Sequence, residues 1–196
     1  MAGISKKKIC CLGFSANPPH LGHLGAAMLV LRKKMADEVW LIPCFEHSFG
    51  KPLIPARHRW KMAKLMEGPR IKASRIELRR RRKSYTIDTV RSLKKQHPAH
   101  EFFWMVGADI IKTKSYLNWR NWKELSREIK FIVIKRPGFA VKKLPRGFIL
   151  AGGASPKISS TEIRERIRRR VSIRGLVPQK VKEYIENNMP YIHLTA

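Results

Sequence analysis

The strongest chemical signal in the chain is a pair of histidines spaced around a glycine, in Asn17-Pro18-Pro19-His20-Leu21-Gly22-His23. An apolar run over residues 9–14 precedes it, and helically spaced apolar residues begin at Leu24. That context predicts a strand, a tight loop and then a helix. A helix start presents free N–H groups and a partial positive charge, so it attracts anions. Imidazoles placed there add donors, and Gly22 lets a ligand come close to the backbone. The chemistry this favours is phosphate binding at a strand-to-helix turn.

Other residues have chemistry of their own. Ser159-Ser160-Thr161-Glu162 has the form of a capping box and opens a helix, with Arg164 one turn inside it. Gly107-Ala108-Asp109 follows an apolar run at residues 101–106. Ser84-Tyr85-Thr86 stands before a helical pattern in which Ile87, Val90 and Leu93 share a face, with Ser84 or Thr86 as its cap. Cys10, Cys11 and Cys44 are too few and too poorly spaced for a disulfide framework or a zinc site, and read as reduced thiols in or near the core.

These groups need a scaffold. Strands are expected at residues 8–14, 38–43, 70–78, 101–106, 130–134 and 148–150. Helices are expected at residues 24–35, 56–66, 86–96, 119–128, from 159 onward, and from about 178 to 187. Strands alternating with helices predict an α/β fold, Rossmann-like, with a mostly parallel central sheet flanked by helices. Ligands in such sheets bind beyond the carboxyl ends of the strands. The loops at residues 15–23, 107–109 and 156–161 each follow a strand, so they are expected to meet in one crevice.

Bulk properties bound the rest. A chain of 196 residues with 43% hydrophobic content suits one domain, residues 1–196, with a C-terminal helical part from about 156 to 196 packed on it. No run approaches the roughly 20 apolar residues of a membrane span, and the basic start lacks a signal-peptide core. A cytoplasmic enzyme without membrane contact is the expectation. The formal charge is +28, from 42 Lys and Arg against 14 Asp and Glu. It favours polyanionic partners, with clusters at residues 70–83 and 157–174. Most of these side chains read as solvated surface.

The motifs together resemble a known family. Gly13-Phe14-Ser15-Ala16-Asn17-Pro18-Pro19-His20-Leu21-Gly22-His23, Ser84-Tyr85-Thr86-Ile87-Asp88-Thr89, Gly107-Ala108-Asp109 with Trp119 and Trp122, Arg136-Pro137-Gly138, and Ile158-Ser159-Ser160-Thr161-Glu162-Ile163-Arg164 fall in the order seen in bacterial nicotinate-nucleotide adenylyltransferases. These belong to the wider His-x-Gly-His nucleotidyltransferases. Phe14 stands where that pattern has a second glycine, and Ala16 where it has phenylalanine. Phe14 would crowd the phosphate loop, unless the two form a compensating exchange of bulk in which Phe14 fills part of the volume that Ala16 leaves.

The resemblance implies transfer of AMP from ATP to nicotinate mononucleotide, giving deamido-NAD and pyrophosphate in NAD biosynthesis. Such a transfer depends on positioning and charge stabilisation, with no obligatory protein nucleophile. It implies His20, His23 and Arg164 as catalytic groups, and Gly13, Ser15, Gly22, Asp109, Ser159 and Ser160 around ATP and its phosphates. Lys51, Ser84, Tyr85, Thr86 and Trp119 would receive the pyridine mononucleotide, with Trp119 stacking on its ring and His47 as a further candidate. Ser159 also serves as a helix cap. Mg²⁺ would arrive with ATP, held by its oxygens and water rather than by a carboxylate cage. Alternatives are adenylyl transfer to nicotinamide mononucleotide, phosphopantetheine or another phosphorylated acceptor, or a basic nucleic-acid-binding protein on an inactive nucleotidyltransferase scaffold. Secondary polyanion or RNA binding and homo-oligomerisation are both compatible with the sequence.

Overall fold

The computed structural model describes residues 6–135, 138–139, 141, 143–188 and 191. Alternation along the strands sets the architecture. In β1 (Lys7–Phe14), Cys10 and Leu12 face one layer of the core, while Ile9 and Cys11 face the other. The same split recurs in β4 (His100–Gly107), where Phe103 and Met105 oppose Phe102, Trp104 and Val106. Strands apolar on both sides must be covered on both sides.

Six strands form one sheet in the order β3-β2-β1-β4-β5-β6, and every neighbouring pair is parallel. The others are β2 (Glu38–Pro43), β3 (Ile71–Ala73), β5 (Lys130–Lys135) and β6 (Phe148–Ala154). On one side pack α1 (Leu21–Arg32), α2 (Ala56–Lys64), α7 (Ser160–Arg168) and α8 (Gln179–Asn188), through residues such as Val30, Met62, Ile163 and Val181. On the other pack α3 (Ile76–Arg80), α4 (Thr86–Gln96), α5 (Ala108–Lys112) and α6 (Trp122–Glu128). Strand order reverses direction between β1 and β4, and such a switch point opens a crevice at the carboxyl ends of the strands.

The structure corrects several expected boundaries. Residues 70–78 are not one strand: β3 ends at Ala73, and α3 follows. The Arg79 N–H donates to the Arg75 carbonyl at 2.9 Å, the four-residue bond of a helical turn. Ser74 Oγ accepts the Ile76 N–H at 3.3 Å and starts that turn. α1 begins at Leu21 rather than at residue 24, because the His20 carbonyl already accepts the N–H groups of His23 and Leu24. α6 begins at Trp122, and Trp119 lies between it and a 3-10 helix at Ser115–Asn118. Tyr85, in extended conformation, holds the N-cap position of α4, instead of Ser84 or Thr86. β6 runs on to Ala154, past the expected residue 150.

Among the described residues no helix is long and apolar enough to cross a membrane. The three cysteines are free thiols, with Cys10 and Cys11 fully buried.

Candidate active site

The loop after β1 and the turn after β4 bound a cavity of about 600 Å³, within the usual range for small-molecule sites. From the expected phosphate side, Gly13, Ser15, Gly22, His23 and Asp109 line it. From the expected acceptor side, Ser84, Tyr85, Thr86 and Trp119 line it, and so does His47. The sheet brings these residues together from segments up to about a hundred positions apart.

Gly13, next to last in β1, lies against the indole of Trp104, and a Cβ there would run into Trp104 Cζ2. The chain then turns through Ala16, which is buried at φ 53°. That left-handed conformation costs a non-glycine residue roughly 1–2 kcal/mol. His20, 5% exposed, caps α1 in an extended conformation. Its ring stacks on that of His23 with centroids 3.7 Å apart. Nδ1 of His23 accepts the backbone N–H of His20 at 3.2 Å. A Cβ at Gly22 would sit 2.9 Å from His20 Nδ1, so glycine is needed for this close approach. Phe14 lines the cavity, and its ring stands 4.9 Å from that of His23. The bulk expected to crowd the loop is therefore the wall against which His23 rests.

His20, Ser159, Ser160, Arg164 and Lys51 do not line this cavity. Three of them bear on its geometry from behind. Arg164 donates to the Asn17 carbonyl at 2.8 Å, and Ser160 Oγ donates to the Pro18 carbonyl at 2.9 Å. Ser159 accepts the Glu162 N–H at 3.1 Å, as a helix cap does. The start of α7 thus braces the histidine loop by consuming its carbonyls. Lys51 is exposed and borders a neighbouring pocket with His47 and Lys83. Arg136 and Pro137 lie outside the described residues.

Arg59 escaped the sequence reading. It is 1% exposed, and its guanidinium donates to the carbonyls of Ile54 (2.9 Å), Ser15 (3.1 Å), Phe45 (2.6 Å) and Cys44. Burial lowers the guanidinium pKa, while Cys44 and Tyr191 act in the opposite direction. The signal was present in the sequence: Arg59 shares a helix face with buried Met62 and Ala63, three and four residues on. With Arg59 on Ser15, Arg164 on Asn17 and Ser160 on Pro18, three carbonyls of the loop are engaged by cations or a hydroxyl.

Glu77 was also missed. It lines the cavity yet is 4% exposed, and it accepts from Thr89 Oγ1 at 2.7 Å. Burial pushes its carboxyl up, against hydrogen bonds from Thr89 and Ser84 and the charge of Arg80. Ser84 Oγ in turn accepts the Phe45 N–H at 3.2 Å. The Phe45 peptide is therefore held at its N–H by the acceptor segment and at its carbonyl by Arg59. Cys44 borders the cavity, but burial pushes its thiol up to about 11, so it offers no thiolate near neutral pH.

Known proteins match this arrangement closely. The cytidylyltransferase-like family model matches residues 13–166. A nicotinate-nucleotide adenylyltransferase of Bacillus subtilis is 38% identical over 190 residues, covering 94% of this chain and 98% of that one. The chain belongs to the nicotinate-nucleotide adenylyltransferases, within the cytidylyltransferase-like family. It is therefore a nucleotidyltransferase. Solved structures share its fold: the Plasmodium falciparum nicotinic acid mononucleotide adenylyltransferase complexed with NaAD superposes with a TM-score of 0.79 at 24% identity, covering 94% of this chain and 97% of that one. The same enzyme complexed with APC superposes with a TM-score of 0.77 at 23% identity and the same coverage.

Proposed function

We propose that this chain transfers AMP from ATP to nicotinate mononucleotide, releasing deamido-NAD and pyrophosphate in NAD biosynthesis. One observation carries the reading: a single cavity is lined both by the His23 loop and by the Ser84–Trp119 side. An oxygen of the acceptor phosphate attacks the α-phosphorus of ATP. The bond from that phosphorus to the bridging oxygen breaks, and pyrophosphate leaves with the electron pair.

The protein supplies placement and donors. His23 accepts at Nδ1, which puts its ring hydrogen on Nε2, the nitrogen that would donate to the phosphate. The start of α1 adds N–H groups and the positive end of the helix. Asp109 would accept from ribose hydroxyls, and Trp119 would stack on the pyridine ring. Arg164 and Ser160 would act by holding the loop in shape and Ser159 by capping α7, while Lys51 lines the neighbouring pocket.

No group of three or more His, Cys, Asp or Glu able to hold a metal occurs among the described residues. Mg²⁺ would arrive with ATP, held by phosphate and water oxygens, and would neutralise phosphate charge there. ATP is drawn from the cytoplasm, which suits a cytoplasmic setting.

An assay with ATP, Mg²⁺ and each pyridine mononucleotide tests the proposal. Pyrophosphate release with nicotinate mononucleotide, lost in the His20→Ala/His23→Ala double variant, is the expected result. Release only with some other phosphorylated acceptor would overturn it.

A second role in binding a polyanion such as RNA is supported by charge outside the cavity. Arg168 and Arg169 are 56% and 72% exposed and do not line it. Trp60 of α2 lies under the guanidinium of Arg75 at 4.5 Å, so an aromatic ring sits beside the basic residues that begin at Arg70. Affinity for single-stranded RNA that falls steeply with salt is the expected result; a flat salt response would exclude this role.

A further inference from the structure

Arg120 follows Trp119 in the segment between the 3-10 helix and α6, and its side chain lines the cavity. Its guanidinium lies over the ring of Tyr85, 4.7 Å from the centroid. Among the described residues it forms no ion pair with a carboxylate. The buried carboxylate of this wall, Glu77, is engaged by Thr89. Asp88, in the first turn of α4, does not line the cavity. A cation therefore faces the acceptor end of the cavity and forms no ion pair among the described residues, with Asp109 lining the phosphate side of the same cavity. Beside it, α4 begins at Thr86 with no side chain capping its N–H groups.

We propose that Arg120 selects an acidic pyridine ring over its amide, by pairing with the ring carboxylate of the acceptor. This rests on the reading that the acceptor is a pyridine mononucleotide. A planar guanidinium matches a carboxylate with two parallel hydrogen bonds. A carboxamide presents one acceptor oxygen and one NH₂ group. The NH₂ would face guanidinium donors, so the amide loses attraction and meets a donor-donor clash. Tyr85 holds the guanidinium plane in position by cation–π contact. Stacking on Trp119, the preceding residue, would bring the ring substituent within reach of Arg120.

The test is the ratio of kcat/KM for nicotinate mononucleotide to that for nicotinamide mononucleotide, in wild type, Arg120→Gln and Arg120→Lys. Arg120 is exposed, and melting curves report whether the variants fold. Loss of a charge-assisted pair should lower the ratio about 10- to 100-fold in Arg120→Gln. The change should fall on the KM for the nicotinate substrate, with the KM for ATP unmoved and Arg120→Lys intermediate. An unchanged ratio overturns the proposal. So does an equal loss with both acceptors, which would assign Arg120 to the acceptor phosphate. If wild type turns over neither pyridine mononucleotide, the functional reading falls together with this one. If wild type favours the amide, only the role of Arg120 falls.

Discussion

His23 accepts the backbone N–H of His20 through Nδ1 at 3.2 Å, while the two rings stack at 3.7 Å. One histidine thereby sets the tautomer and the plane of the other. Nitrogen NMR of the free protein should find His23 with its hydrogen on Nε2. His23→Ala removes the donor proposed for the phosphates and should lower kcat by about 10²–10³-fold, as loss of a preorganised donor does. The melting temperature should change little, since the ring borders a cavity. A His23→Ala variant with wild-type kcat would remove His23 from the chemistry.

Arg59 serves four backbone carbonyls from inside the protein. Arg59→Ala would orphan them, and each buried acceptor left unpaired costs about 1–3 kcal/mol. A loss of several kcal/mol in denaturant unfolding is expected. Arg59→Lys keeps the charge but cannot span the same acceptors, so it should fold and show a raised KM for ATP as the Ser15 carbonyl is released. A lysine variant with unaltered ATP kinetics would confine Arg59 to stability.

Gly13 has no room for a methyl group, because Trp104 occupies that space and is itself 4% exposed. Gly13→Ala should cost about 1–3 kcal/mol of stability, as overpacking does. It should also reduce turnover, since β1 leads directly into the histidine loop. Restored turnover in Gly13→Ala/Trp104→Phe, where the smaller ring makes space, would tie both losses to this contact.

Glu38 lies at the far end of the sheet from the active site. Burial raises its carboxyl pKa, but hydrogen bonds from Lys7, Lys72 and Trp40 outweigh that and bring it from 4.5 down to about 2. A depressed carboxyl contributes stability above its unfolded pKa and loses it as pH falls through the folded one. Wild type should therefore lose stability between pH 4.5 and about 2. Glu38→Gln should be less stable than wild type at neutral pH, and the gap should narrow across that window. A gap independent of pH would show that the ion pairs with Lys7 and Lys72 contribute nothing.

Much of this was legible from residue order. Apolar runs marked β1 and β4, since a strand buried on both faces must be apolar throughout. The capping pattern at Ser159 marked the start of α7, and the helix is capped there. Such features are local: a few neighbouring residues decide them. The segment at residues 70–78 was misread because Ile76 and Leu78 alternate as in a strand. Its helical turn is set by Glu77 pairing with Thr89, twelve residues on.

The histidine motif, its glycine and the order of the family segments were determined by sequence alone, and with them the class of chemistry. Tertiary structure decided which residues line the cavity. The Ser159–Arg164 segment turned out to grip the loop at Asn17 and Pro18, more than 140 residues away. Arg59 reads as one more charge in a chain of +28 until burial shows that its donors shape the loop. The reason is physical. A residue type fixes which bonds a side chain can make, but partners distant in sequence become available only when the sheet brings them together.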